Sequence, residues 1–392
     1  MKQTFSNYAQ RLQPLAIREI LSKARRPGVI PFIAGNPDPA LFPADGIVRQ
    51  AAHVLDEIGP STLQYGDSQG YLPLREWVAA RYGQFDPQNV LIISGSQQAL
   101  DLSAKLFIAP GDKVLIASPT YSGALSTYSV YGADFIPVPC DSEGMLSGPL
   151  QEALAEGPCL IYAIPNYMNP TGVCMSLERR RELAALAQRH GVPIVEDDPY
   201  GELRFEGERL PNLVELAPEH VFYAGTFSKI VAPGLRLGWI ISPSWAIEKL
   251  VGAKQISDLQ SAWYTQHLMA ELVEDNFMDH HILKLRNHYR QQRDHMMTAI
   301  ERYFPAEAAV LSPSGGMFVW VELPKGVDTT ALLETALEQD VAYMPGSAFY
   351  PDGSGHNTLR LSFTLATLEQ IDQGIKTLGV LFKNSLPDAK QA

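Results

Sequence analysis

Short apolar runs return along the middle of the chain, each ending in polar residues. VLIIS begins at Val90, KVLIAS at Lys113, CLIYAIP at Cys159, VPIVEDD at Val192 and VFYAGTFSK at Val221. QQALDLSAKLF, YSGALSTYSVYG and SLERRRELAALAQRHG lie between them, with the apolar residues at helical spacing. Strands this short and this apolar must be buried on both faces, and the intervening helices are long enough for parallel crossovers. The alternation therefore dictates an α/β fold whose mostly parallel sheet is covered by helices on both sides. Long helical patterns follow from Pro243 to Phe304. The last quarter, with GGMFVWVELP and NTLRLSF, mixes strands and helices without that rhythm. A length of 392 residues exceeds what one core usually fills, so a smaller α+β domain is expected there, joined by the N-terminal helix LAIREILSKAR.

In an open parallel sheet, ligands gather at the carboxyl ends of the strands. The residues found there are Ser94, Gly95, Ser96 and Gln97; Thr120 and Tyr121; Asn166 and Asn169; Asp197 and Tyr200; and Thr226, Ser228 and Lys229. SGSQQAL reads either as a serine N-cap or as a small loop whose free N–H groups and helix dipole attract an anion. Thr226, Ser228 and Arg236 form a second anion-seeking set around Lys229, which suits a phosphate that is held and not cleaved. No GxxxxGK[ST] or GxGxxG pattern supports a nucleotide cradle. Glu196, Asp197 and Asp198 read as a solvated acidic turn or a metal site, but no histidine cluster supports a metal, and none is expected. A buried carboxylate there needs a cationic partner. NPTG is a turn sequence, and Tyr121 alone reads as a core or interface aromatic.

The formal charge of −12 argues against non-specific nucleic-acid binding. Cys140, Cys159 and Cys174 form no CxxC pair, which fits a reducing compartment. The N-terminus lacks the apolar core of a signal peptide, and no run of about 18 apolar residues suggests a membrane span. A cytoplasmic protein is expected, with neither nucleic acid nor membrane as a partner.

AGNPDPALFP, LQYGDSQGYLPLREWVA, SGSQQALDL, SPTYSGAL, PNYMNPTG, VEDDPYGEL, GTFSKIVAPGLRLGW, GGMFVWVELP and NTLRLSF occur in that order. Together they resemble the fold-type I pyridoxal-phosphate aminotransferases of class I/II, in the branch with 2-aminoadipate, kynurenine and aromatic aminotransferases. The resemblance implies a large cofactor-binding domain over residues 46–285, with a mostly parallel seven-stranded sheet between helices. It implies a small C-terminal domain over 286–392, and a segment 1–45 that joins that domain and the substrate pocket. By the same resemblance Lys229, Asp197 and Tyr200 are catalytic. Lys229 holds pyridoxal 5'-phosphate as a Schiff base and Asp197 pairs with the pyridine nitrogen. Asn169 and Tyr200 bond the ring oxygen and Tyr121 stacks on the ring. Ser96, Gln97, Thr226, Ser228 and Arg236 hold the phosphate, reached also by Tyr65 of the partner subunit in a homodimer. Arg360 clamps the substrate α-carboxylate, with Asn169 and Gly35 beside it. The implied activity is ping-pong transfer of an amino group from an L-amino acid to a 2-oxo acid, 2-oxoglutarate or pyruvate.

Two other readings stand beside this one. The same residues serve racemases, β-lyases, decarboxylases and oxidases that use the cofactor. An aminotransferase-like domain also occurs in ligand-sensing regulators, although only about a dozen residues precede LAIREI, and no helix-turn-helix fits there. Asn36 and Asp38 depart from the resemblance: related members usually carry an apolar and a small residue there, on a loop expected near the substrate carboxylate. Arg18 is either a partner for a distal substrate carboxylate or a helix-surface arginine paired with Glu19 or with a neighbouring subunit. Tyr264 and the loop MPGSAFY from Met344 are candidate pocket walls, whereas His267 reads as structural.

Overall fold

The computed structural model of the protein describes residues 5–12, 24, 26–274 and 276–386. Arg18 lies outside the described residues. After β1 (Ile30–Pro31) come β2 (Val90–Ile93), β3 (Lys113–Ser118), β4 (Asp134–Asp141) and β5 (Gly144–Met145). β6 (Leu160–Ala163), β7 (Ile194–Asp197), β8 (Val221–Thr226) and β9 (Gly238–Ile241) follow. β2 to β9 form one sheet in the order β2-β9-β8-β7-β6-β3-β4-β5. β3, β4, β6, β7 and β8 are mutually parallel, and β9 runs antiparallel between β8 and β2. The seven expected strands are thus present. The eighth, β5, is a two-residue edge added where β4 folds back, with Glu143 N–H donating to Asp141 Oδ1 in the turn.

Burial explains the sequence pattern. β2, β6, β7, β8 and β9 are buried at every position, as strands covered on both faces must be. The covering helices are closed by their own ends. In Leu177–His190, Ser176 Oγ accepts from Arg179 N–H, and Gly191 ends the helix in the left-handed conformation.

The C-terminal region builds a second sheet from β10 (Ala309–Leu311), β11 (Phe318–Glu322), β13 (Met344–Pro345) and β14 (Thr358–Ser362), in the antiparallel order β10-β11-β14-β13. β12 (Val341–Ala342) pairs in parallel with β1, so the N-terminal segment packs with the C-terminal one. The helices Phe277–Tyr303 and Leu368–Asn384 pack on each other beside it. Among the described residues, no helix is long and apolar enough to cross a membrane.

One close contact fixes the β8–β9 pair. Gly225 faces Trp239 in register, and a Cβ on Gly225 would lie 2.2 Å from the indole Cε2. Phe227 and Tyr82 pack the same indole at ring distances of 4.8 and 5.1 Å. The backbone that delivers Thr226 to Lys229 therefore starts from a rigid base. Gly225→Ala is expected to cost roughly 1–3 kcal/mol through overpacking. Gly252→Ala, in the helix Ile247–Asp258 with nothing within 4 Å, is expected to be neutral or to gain about 1 kcal/mol. Urea midpoints of the two variants measure the contrast.

Candidate active site

The carboxyl ends of β2, β6, β7 and β8 open into one cavity of about 300 Å³. Ser96 and Gln97 reach it from the first turn of the helix Ser96–Phe107. Gly95 precedes them at φ +89, a conformation suited to glycine, and a Cβ there would meet Arg236 Nη2 at 2.8 Å. Arg236 donates from Nη2 to Ser94 O at 2.9 Å, which brings the guanidinium beside that helix start. Its own φ of +51 is left-handed, a strained backbone of the kind found at functional sites. Thr226 Oγ1 and Ser228 Oγ lie 2.9 Å apart on the same wall. Hydroxyls, free helix N–H groups and one arginine converge here, the donor set an anion needs.

Asp197 ends β7 and is buried. Tyr162 donates to Asp197 Oδ2 at 2.8 Å, while Oδ1 has no partner among the described residues. Burial, opposed by the Tyr162 bond and reinforced by Asp198, pushes the carboxyl up to about 7. Lys229 Nζ donates to Gly35 O at 2.7 Å. Burial, followed by the charges of Arg360 and Arg236, lowers its ammonium to about 8. A neutral amine is therefore accessible near neutral pH.

Arg360 is buried on β14, with burial drawing it down to about 10. Its Nη1 donates to Asn169 Oδ1 and its Nη2 to Ile33 O, both at 2.6 Å, while Nε has no partner among the described residues. Phe318 and Phe349 lie 4.2 and 5.0 Å from the guanidinium carbon and hold the plane by cation–π contact. Tyr200 meets Phe318 edge-on at 5.7 Å and has Asn169 beside its hydroxyl. Tyr121 lines the opposite wall from the end of β3, its hydroxyl raised by burial and by Asp197.

Of the residues singled out in the sequence, Gly35, Ser96, Gln97, Tyr121, Asn169, Asp197, Tyr200, Thr226, Ser228, Lys229, Arg236 and Arg360 all line this cavity. Gln97 also spends its amide on Thr127 Oγ1 at 2.7 Å. Tyr65 is 76% exposed and does not line it. Asn36 lines the mouth, but Asp38 turns away: its Oδ1 accepts from Ala40 N–H, and its Oδ2 lies 3.6 Å from His288 Nε2. Asp38 anchors its loop and does not face the cavity. Tyr264 bonds Ala51 O and His267 packs on Tyr71 and Trp263, both away from the cavity. Of MPGSAFY, Phe349 takes part through its contact with Arg360. Sequence reasoning gave no role to Tyr162 or Phe318. A tyrosine inside the apolar run CLIYAIP was the available signal, because a buried phenol needs a partner.

The cavity fits the cofactor expected from the sequence. It offers an anion cup, an amine with lowered basicity, and a carboxylate oxygen that has no partner among the described residues and can take a ring N–H.

Residues 29–378 match the family described as aminotransferase class I and II. The chain is 41% identical over 389 residues to a 2-aminoadipate transaminase of Thermus thermophilus, covering 98% of each. It is 40% identical to aromatic-amino-acid aminotransferase 1 of Thermococcus litoralis, covering 97% of this chain and 94% of that one. The solved α-aminoadipate aminotransferase of Thermus thermophilus, complexed with N-(5'-phosphopyridoxyl)-L-leucine, superposes with a TM-score of 0.91 at 41% identity and 97% coverage of both chains.

The lowered Lys229 ammonium has a stability consequence. Its ordinary value is 10.5 and its folded value about 8, so the folded state bears the full cost below pH 8 and none above 10.5. Without cofactor, Lys229→Met is expected to gain roughly 2 kcal/mol near pH 7, allowing for water that still reaches the amine. The gain should fade between pH 8 and 10.5. Thermal unfolding of the ligand-free proteins across that range checks it.

Proposed function

The chain belongs to the class I and II aminotransferase family, and from that premise we propose that it moves the α-amino group of an L-amino acid onto 2-oxoglutarate or pyruvate, as a cytoplasmic homodimer. It is a pyridoxal-phosphate-dependent transaminase of fold type I. Other chemistry on the same cofactor, and a regulator's role, are not favoured beside relatives named as transaminases. The observation that carries the detailed reading is the convergence of Asp197, Lys229 and Arg360 on one cavity, with atoms of Asp197 and Arg360 that have no partner among the described residues.

In this reading Ser96, Gln97, Thr226, Ser228 and Arg236 hold the phosphate. Asp197 Oδ1 takes the ring N–H, Asn169 and Tyr200 bond the ring oxygen, and Tyr121 covers the ring face. When bound, pyridoxal phosphate supplies an aldehyde carbon for amines and a protonated ring that draws electron density from the substrate carbon. Lys229 Nζ would hold that carbon, and its free amine would take the substrate Cα proton as general base. Asp197 would favour a protonated ring nitrogen. Arg360 exchanges its bonds to Asn169 Oδ1 and Ile33 O for the two oxygens of the substrate carboxylate, a planar bidentate match. Tyr65 of the partner subunit completes the phosphate site, in keeping with the exposure of that side chain here.

Once these roles are assigned, Ile33, Ala34, Leu100, Ser122, Ile164, Pro199, Phe318 and the amide of Asn36 remain among the described walls, and none is charged. They support neutral, apolar or aromatic side chains. A distal carboxylate requires a cation from elsewhere, and Arg18 is the candidate; Arg18→Ala then loses acidic substrates and keeps neutral ones.

Half-reactions of the holoenzyme with a panel of L-amino acids, followed by cofactor absorbance, test the activity. Stoichiometric 2-oxo acid and ping-pong kinetics are expected, with borohydride fixing the cofactor on Lys229; ammonia release or racemised substrate would overturn it. Arg360→Lys is expected to lower kcat/KM on the order of 100-fold, mostly through KM, because an ammonium cannot reproduce the planar fork. Co-expression of Tyr65→Ala with Lys229→Ala should regain one working site per mixed dimer, and inactive mixed dimers would refute the shared site.

A further inference from the structure

We infer that Tyr162 is a positioning residue for this reaction: its buried hydroxyl fixes the Asp197 carboxylate so that one oxygen stays aimed at the cofactor ring nitrogen. The inference rests on the proposed reading of the cavity, and its test is arranged to separate the two.

Tyr162 is fully buried on β6. In the parallel β6–β7 register Tyr162 stands opposite Val195, so Asp197, two residues on, shares its face of the sheet. The hydroxyl donates to Oδ2 at 2.8 Å. The aspartate torsion that exchanges the two oxygens is broad and roughly two-fold, so nothing local to Asp197 selects which oxygen faces the cavity. The titratable groups around it are Asp198 in sequence, Lys229 beyond β8, Tyr128 on the neighbouring helix Ser122–Tyr131 and Tyr121 just before it, and Tyr200 on its own loop. Among the described residues only Tyr162 bonds the Asp197 carboxylate.

The phenol is itself held from behind. Tyr128 meets Tyr162 edge-on, with ring centroids 5.9 Å apart and planes at 81°. The Tyr128 hydroxyl lies 3.2 Å from Ser103 Oγ, which donates to Leu100 O at 2.9 Å. Ser103 and Leu100 belong to the helix Ser96–Phe107, whose first turn lines the proposed phosphate cup. The Tyr128 ring thus buttresses Tyr162, while its hydroxyl is spent on Ser103 and not on Asp197.

A merely structural phenol would use the carboxylate only to satisfy its own O–H. Tyr162→Phe, nearly isosteric, separates these roles, with Tyr128→Phe as the packing control. In the holoenzyme, Tyr162→Phe is expected to lower kcat about tenfold with little change in amino-acid KM. Its bond favours the ionised carboxylate, so losing it raises the carboxyl pKa and should move the acid limb of kcat to higher pH. In the ligand-free protein, equilibrium dialysis should show pyridoxal phosphate bound about tenfold more weakly. Infrared difference spectra, assigned with Asp197→Asn, should show the protonated carboxyl persisting to higher pH. Tyr128→Phe should leave all four readouts in place.

In an Asp197→Ala background, Tyr162→Phe should add no further loss of cofactor affinity; an additive loss overturns the proposal. So does an unfolding midpoint that falls while affinity, spectra and acid limb stay put. If Tyr162→Phe fails to fold, Tyr162→Met serves in the same cycle, because its flexible side chain fills the space and carries no donor. Failure of wild-type protein to bind pyridoxal phosphate, or of borohydride to fix it on Lys229, would instead refute the reading of the cavity.

Discussion

Burying a carboxylate costs free energy that only donors or cations can offset, and Asp197 is given just enough of both to stay in place without being satisfied. One oxygen has Tyr162; the other has nothing among the described residues. Lys229 lies close enough for its charge to favour the ionised form, yet spends its bond on Gly35 O. A ring N–H placed at Asp197 Oδ1 would offset that cost, so the binding chemistry follows from an acceptor left open among the described residues.

Strand order does the rest. β9 returns antiparallel between β8 and β2, so the segment 227–237 must span the carboxyl ends of the neighbouring strands. That places Arg236, at the start of β9, against Ser94 at the end of β2. Residues far apart in sequence then form one anion cup. Gly225 under Trp239, Gly95 under Arg236 and Gly238 against Gly225 O are close approaches made at this crossing.

The alternation of apolar runs made the parallel sheet legible, and the rule about strand ends found Ser96, Tyr121, Asn169, Asp197 and Lys229 together. Other features escaped for physical reasons. β4 reads DFIPVPCD, with two prolines and alternate burial near the sheet edge, so it lacks the signature of a strand buried on both faces. Arg360 sits in NTLRLSF, where composition alone cannot tell a buried cation from an exposed strand residue; only resemblance marked it. Asp38 looked like a substrate contact because its loop runs past the cavity, but a short carboxylate next to Pro39 caps the turn at Ala40 instead. Tyr162 was hidden because a phenol in an apolar run announces its ring and not its partner. Roles that need a second chain, as for Tyr65, are not encoded in one chain's periodicity.

Arg360 enters the reaction already bonded at both terminal nitrogens, to Asn169 Oδ1 and Ile33 O. Swapping those neutral oxygens for a carboxylate gives up two bonds already made, so part of the attraction between guanidinium and acid is offset on arrival. The same pair of surrogate acceptors is ready to reclaim the guanidinium when the keto acid leaves. A site built this way trades tight retention for quick turnover, which suits an enzyme that must discharge one product before admitting the second reactant through the same opening.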